Sequence, residues 1–336
     1  MTSPTPSPRS TTTPGEAPSR TKLVLGFAVL YIVWSTTYLG IQVAVETVPP
    51  FLMGAIRFLI AGSVLYLIMR VRQRERPTVV HWRSALIIGG FLMLGGQGGV
   101  AWAEQRIPSG LAAVLVATMP LWLILFNWLR TEGQRPDLRT VMGLLGGLGG
   151  VVLLIAPWQT GARDIDPWGV LAVVLAAVSW ATGSVLTLTA KLPRSHLLAT
   201  AMEMLAGGLL LLLVATLRGE WQLLDVAGIS VASVAAILYL IVFGSLIALS
   251  TYIWLLSVCP PSRVSTYTYV NPVVAVFLGW IIAGETLSPR MMVAVVVILG
   301  SVVLVALGRL KRKRHKQAMA GALEEPNPSP VKEKTT

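Results

Sequence analysis

Two charged residues, Arg57 and Glu203, each lie inside an apolar stretch of the chain, 146 residues apart. A guanidinium at the centre of a hydrocarbon layer costs about 2.5 to 3.5 kcal/mol on insertion scales, so Arg57 needs an acceptor. The predicted depths put the two side chains roughly 10 Å apart across a layer of about 30 Å. We predict that both belong to a functional site. Direct pairing, backbone carbonyls, water or a bound molecule remain alternative partners for Arg57.

Two apolar stretches that close on proline, 109–120 and 261–272, repeat one another 152 residues apart. Pro120 and Pro272 each remove one helical hydrogen bond and clash with the carbonyl four residues earlier, which predicts a kink or helix break at both. In lipid a freed carbonyl needs a partner, so paired breaks indicate a central polar cavity. A packing kink without a cavity is the alternative.

Aromatic and polar side chains recur on single helical faces in three of the apolar stretches. Groups that can hydrogen-bond avoid lipid, so these faces are expected to line a cavity or to bond to neighbouring helices. Tyr267 and Asn271 are four residues apart and share a face. The candidate cavity residues are Trp34, Tyr38, Gln42, Arg57, Gln97, Thr118, Trp180, Glu203, Tyr267 and Asn271.

Two acids are candidates for reversible protonation, Glu203 and Glu104. Glu104 follows Gln97 by two turns near the end of an apolar stretch. Because Gln105 and Arg106 come next, a charge at headgroup level is the alternative for Glu104.

The sequence contains no motif that is typical of a catalytic site, a metal site or a cofactor site. The single cysteine, Cys259, excludes an intramolecular disulfide, and the three histidines lie near predicted helix ends or in the tail. We find no phosphate-binding lysine loop, nucleophile elbow or metal-spaced cluster. We therefore expect no catalysis, no metal and no cofactor.

The composition predicts an all-α integral membrane protein. Of 336 residues, 54% are hydrophobic and 12% charged, and the mean hydropathy is +0.71. A spanning helix needs roughly 20 apolar residues. Ten segments qualify, and they are 22–44, 50–69, 83–104, 109–130, 138–156, 167–190, 196–217, 229–257, 262–284 and 289–309.

The net charge of +12 indicates membrane topology rather than nucleic-acid binding, because the basic residues flank the apolar segments. The tails and alternate connections carry 20 Lys and Arg residues, and the other connections carry 4. The positive-inside rule then places both termini in the cytoplasm, which requires an even number of spans. The basic run 311–316 is an orientation signal or, alternatively, a site for anionic headgroups.

The two halves of the chain repeat each other in order. Trp34 matches Trp180 at an offset of 146, and Trp102 matches Trp254 at 152. Five spans separate the copies, so they enter the bilayer from opposite faces, the architecture of alternating-access carriers. We predict a disordered tail at 1–21, five-helix repeats at 22–156 and 157–309, and a basic, disordered tail at 310–336.

With Arg57-Phe58 in the second segment, Ala103-Glu104-Gln105 ending the third, and a proline in the fourth and ninth, the chain resembles the EamA-type carriers of the drug/metabolite transporter superfamily. The resemblance covers about residues 22 to 309. It implies a ten-helix bundle around a central cavity in a bacterial plasma (inner) membrane. It also implies export of amino acids, metabolites or toxic compounds.

The partners expected from this resemblance are a small-molecule solute, the lipid bilayer and, if transport is coupled to a pH gradient, protons. Nutrient uptake and a non-transporting membrane scaffold remain alternative functions. The residues leave the solute, the direction and the coupling ion open.

Overall fold

The computed structural model describes residues 19–72, 75–130, 138–155, 165–259, 264, 266–285 and 287–304. These residues form helices joined by short connections, and no strand occurs among them. The helices are α1 (Arg20–Ala44), α2 (Pro50–Arg72), α3 (Val79–Gly89, Gly90–Gly98 and Gly99–Ala103), α4 (Ser109–Val116), α5 (Met119–Arg130), α6 (Leu138–Ile155), α7 (Pro167–Thr187), α8 (His196–Leu217), α9 (Val231–Tyr239, Leu240–Ile247 and Ala248–Val258), α10 (Tyr267–Ile282) and α11 (Pro289–Leu304).

Six of the described helices, α1, α2, α3, α7, α8 and α9, are long and apolar enough to cross a membrane. Shorter apolar helices occupy the other predicted segments. Large apolar side chains such as Leu67, Leu175 and Leu213 remain exposed on the outside of the bundle. An apolar outer surface is what a helix bundle presents to lipid tails.

The two proline segments differ in the structure. The first is interrupted at Ala117 and Thr118, and Pro120 is the second residue of the new helix α5, where its missing N–H costs nothing. The predicted single helix over 109–130 is therefore two helices. Pro272 lies inside α10, which continues through it to Ile282, so the predicted break there is wrong. One lost hydrogen bond at Pro272 does not end the helix.

Helices α3 and α9 each contain a π-helical segment, Gly90–Gly98 in α3 and Leu240–Ile247 in α9. The sequence offset of 152 that relates the two halves superposes Phe91 on Phe243, one residue in each segment. A π-helix exposes backbone carbonyls to other donors and often marks a functional site. In α3 the carbonyl of Phe91 accepts a hydrogen bond from the Ser179 hydroxyl, at 2.8 Å.

Close contacts between the halves depend on glycine. A methyl group added to Gly89 of α3 would lie 2.5 Å from the Glu203 carbonyl oxygen of α8, and one added to Gly62 of α2 would lie 3.0 Å from Met204. On α4, a methyl group at Gly110 would lie 2.9 Å from Val276 of α10. Small residues let helix backbones approach closely in lipid. The core of the bundle thus lies largely between the two halves.

Candidate functional site

Three aromatic rings meet between α1, α9 and α10 and form an aromatic cluster, Trp34, Tyr252 and Tyr267. The Trp34 ring centre lies 5.2 Å from that of Tyr252 and 4.8 Å from that of Tyr267, with the second pair edge to face. A hydrogen bond between the hydroxyls of Tyr31 and Thr266, at 2.5 Å, ties α1 to the residue before α10. The two sequence-predicted residues Trp34 and Tyr267 are therefore brought together. Mid-span Trp34 packs inside the bundle.

Arg57 connects the two π-helical segments. Its Nε donates to the Ser245 hydroxyl of α9 at 2.9 Å, and its Nη1 donates to the Gln97 side-chain oxygen of α3 at 3.5 Å, a long bond. The guanidinium also lies 4.8 Å from the centre of the Phe58 ring. Arg57 is 5% exposed and Ser245 2%, so the bond between them is buried, whereas Gln97 is half-buried. Bonds to buried charged groups are about twice as strong as neutral ones.

A direct ion pair between Arg57 and Glu203 does not form. Among the residues that the structure describes, the only salt bridge joins Arg106 to Asp166, at 3.6 Å. Glu203 is buried in α8, where its backbone carbonyl abuts Gly89 of α3. Arg57 instead finds its acceptors on α3 and α9, one of the alternatives that the sequence left open.

Glu104 caps the end of α3 and is almost completely buried, with 3% exposure. Neither of its carboxylate oxygens has a hydrogen-bond partner in the described part of the chain. The carboxyl group interacts electrostatically with Glu285, Arg57 and Tyr38. The Glu104 side chain therefore turns into the bundle.

Asn271 is the second buried acceptor without a donor. It is 6% exposed, and its Oδ1 has no hydrogen-bond partner among the described residues. It lies one turn beyond Tyr267 on the same face of α10. Tyr267 interacts in turn with Tyr38, the neighbour of Glu104. Tyr38 of α1 is half-buried and packs against the hydrophobic cluster that includes Leu111 and Val276.

Gln42 and Glu285 close one end of the site by binding the first residues of α4. Glu285 accepts from the Ser109 backbone N–H at 2.8 Å, the Ser109 hydroxyl at 2.6 Å and the Gly110 N–H at 3.2 Å. The Gln42 side-chain oxygen lies 3.3 Å from the same Ser109 N–H. The free N–H groups and the dipole of a helix start favour a carboxylate there. Gln42 therefore stabilises the end of the bundle.

The hydrogen bonds of Thr118 are local, and Trp180 packs on the π-helical segment of α3. The Thr118 hydroxyl donates to the Leu115 carbonyl at 2.7 Å and accepts from the Trp122 indole at 3.3 Å, so its bonds are local. Trp180 covers Gly96 of the α3 π-helical segment, where an added methyl group would lie 3.0 Å from the ring. Thr118 also contributes to a small apolar pocket, lined by Thr118, Leu121, Trp122, Gly147, Leu148, Val151 and Val174.

The sequence analysis did not predict three residues of the site, Ser245, Tyr252 and Glu285. Ser245 is a lone polar residue within the apolar run 240–249, a signal of the same kind as Gln97. Glu285 matches Glu132 at an offset of 153, so the repeat itself marked it. Tyr252 carried no signal, because a tyrosine late in an apolar segment is also typical of the membrane interface.

The site combines one fixed cation, buried acceptors that lack donors and three aromatic rings. These groups can bind and orient a partly polar organic molecule within an apolar bundle. Among the described residues, no three His, Cys, Asp or Glu side chains lie close enough to hold a metal ion.

Comparison with known proteins identifies relatives over most of the chain. The EamA-like transporter family matches residues 21–156 and again 167–307. The chain is 39% identical over 281 residues to the "Uncharacterized inner membrane transporter YedA" of Escherichia coli K12, covering 83% of this chain and 89% of that one. It is 30% identical over 279 residues to the "Protein PecM" of Dickeya dadantii, covering 81% and 88%.

A solved crystal structure shares the fold, with a TM-score of 0.56 and 24% identity over 85% of this chain and 96% of the other. The fold, the buried site between its helices and the match over both halves agree. The chain is a membrane transporter that belongs to the EamA-like transporter family.

Proposed function

We propose that this transporter exports a small organic solute across a bacterial plasma membrane by exposing a central site alternately to either face. The site takes an amphipathic or zwitterionic solute. The observation that carries this proposal is the contact of Arg57 with both π-helical segments, one from each half of the chain. A solute bound beside Arg57 therefore touches both halves at once and can sense their relative movement.

The proposed architecture has ten spans in two inverted five-helix repeats, 22–156 and 157–309, with both tails in the cytoplasm. The ordered correspondence of the halves and the bias of the basic residues support it. Reporter fusions test the orientation. A fluorescent protein after residue 336 should fold in the cytoplasm, whereas alkaline phosphatase there should be inactive. The opposite pattern would refute the topology.

Transport itself is tested with purified protein in liposomes loaded with a mixed panel of amino acids, amines, organic acids and hydrophobic toxins. We expect selective efflux of at least one solute, faster than in empty liposomes and at least tenfold slower with Arg57→Gln. Each panel is run with and without a pH gradient, because Glu104 and Glu203 are candidate coupling groups. Folded protein that moves none of the panel would argue for the scaffold alternative.

Direction is measured in oriented membrane vesicles from a host that overproduces the protein. Export predicts accumulation of the solute in inside-out vesicles. Accumulation only in right-side-out vesicles would favour nutrient uptake, which the same fold permits.

A further inference from the structure

The unsatisfied side-chain atoms in the described interior are all hydrogen-bond acceptors. They are Glu104 Oε1, Glu104 Oε2 and Asn271 Oδ1. A buried polar atom without a partner costs roughly 1 to 3 kcal/mol, and an isolated buried carboxylate costs far more. The group that satisfies these atoms must therefore donate hydrogen bonds, and for Glu104 a positive charge would also remove most of the cost.

No salt bridge within 4.0 Å joins Glu104 to a Lys, Arg or His side chain among the described residues. Arg57 is bonded to Ser245 and Gln97. Glu285 is held by the first N–H groups of α4 and repels Glu104 rather than compensating it. Among the described residues, the Glu104 carboxylate therefore has neither a hydrogen-bond donor nor a salt-bridge partner.

The two acceptors lie at different depths. Gly110, at the start of α4, meets Val276, and Asn271 precedes Val276 by five residues, or about 7.5 Å along α10. Glu104 follows the last residue of α3 and precedes the α4 start at Ser109 by five residues, so it lies near that end of the bundle. The aromatic cluster begins one turn beyond Asn271, at Tyr267. Acceptors at one end and aromatic rings at the other suit an elongated molecule.

We propose that Glu104 binds the ammonium group of the transported solute, and that Asn271 accepts a hydrogen bond from a second donor nearer the aromatic cluster. This inference rests on the proposed transport function and assigns the solute class: a primary or secondary amine with an apolar or aromatic body.

A labelling experiment on the full-length protein in detergent tests the site without knowledge of the natural solute. N,N′-dicyclohexylcarbodiimide modifies carboxyl groups in apolar surroundings, and peptide mass spectrometry locates the label. The matched probes are L-phenylalanine methyl ester, which carries an ammonium group, and its N-acetyl derivative, which does not. We expect the amine to slow labelling of Glu104 at least fivefold and the acetylated probe to leave it unchanged.

A second buried acid provides an internal control, because labelling of Glu203 in the same digest should not respond to either probe. Asn271→Leu should raise the amine concentration needed for half protection about fivefold, the loss of one hydrogen bond. Equal protection by both probes, protection by neither, or no labelling of Glu104 would each overturn the ammonium site. Unchanged protection in Asn271→Leu would remove Asn271 from it.

The labelling experiment tests the amine site and the flux experiment tests transport, so either result can be negative without the other. Protection by the amine without flux of any solute would leave the ammonium site standing and remove the transport function. Flux without protection would support the transporter and overturn the amine site.

Discussion

At the residue scale, the bond between Arg57 and Ser245 links the two halves in a dry interior. Ser245→Ala leaves a charged donor without its partner, so we expect a loss of about 1.5 to 3 kcal/mol in the free energy of unfolding. The measurement is unfolding by sodium dodecyl sulfate from mixed micelles. Ser184→Ala is the matched control, since its hydroxyl donates to the Trp180 carbonyl of its own helix. Equal losses in the two variants would contradict a special role for Ser245.

Two acids, the half-buried Glu285 and the buried Glu220, bind helix starts and differ in the number of donors they satisfy. Glu285 accepts three hydrogen bonds from Ser109 and Gly110, whereas Glu220 accepts one, from the Leu52 N–H at 2.8 Å. We expect Glu285→Ala to lower the free energy of unfolding by about 2 to 4 kcal/mol and Glu220→Ala by about a third as much, since about 1 kcal/mol follows each lost bond. The same unfolding assay ranks them. The reverse order would refute this assignment.

The sequence identified polar residues whose placement in lipid has a high free-energy cost. Arg57, Glu104 and Asn271 could be selected because each is polar within an apolar run. Their partners could not be selected, because a partner depends on which helix faces which. Thus the acceptor of Arg57 was sought at Glu203 and lies at Ser245.

At the element scale, the start and end of a helix can be predicted from the local sequence, whereas the π-helical segments cannot. The predicted segment 196–217 agrees with α8, and 167–190 exceeds α7 by one turn. A π-helical segment shifts the backbone hydrogen bonds, and in a run that is apolar on nearly every face this shift leaves no trace in hydropathy. The Gly-rich run 89–99 is the one local hint of irregular packing in α3.

The backbones of α3 and α8 lie so close together that the glycines between them leave no room for a side chain. At Gly89 an added methyl group would lie 2.5 Å from the Glu203 carbonyl oxygen and 2.9 Å from the Gly207 nitrogen. We expect Gly89→Ala to cost about 1 to 3 kcal/mol in unfolding free energy, since neither backbone can yield without moving a helix. At Gly149 the same addition meets nothing within 4 Å, so Gly149→Ala should cost nothing. If Gly89→Ala lowers the unfolding free energy no more than Gly149→Ala does, α3 and α8 can move apart to make room for a side chain.

At the scale of the whole molecule, the repeat explains why the core lies between the halves rather than within each. Gly62 of α2 approaches Met204 of α8, and Gly110 of α4 approaches Val276 of α10. Each half therefore depends on the other for burial of its small-residue surfaces. The proposed alternating access requires the halves to move relative to each other. This movement must replace one set of such contacts with another.

The end of α1 and the start of α9 provide a contact between the halves that this movement should break. The Thr47 hydroxyl donates to that of Ser233 at 2.8 Å, and the Ser233 hydroxyl donates to the Val43 carbonyl. Hydroxyls this close place the two residues near disulfide geometry, for which Cβ atoms lie about 3.5 to 4.5 Å apart. Cys259 is the only cysteine, so Cys259→Ser gives a clean background.

In that background we expect Thr47→Cys with Ser233→Cys to cross-link on oxidation and to reduce liposome flux at least tenfold, because this end of the bundle can no longer open. Reduction with dithiothreitol should restore the flux. Each single variant should transport equally before and after oxidation, which separates the cross-link from damage by the oxidant. If the cross-linked protein transports at the uncross-linked rate, the halves do not part at this end, and the cycle must use another opening.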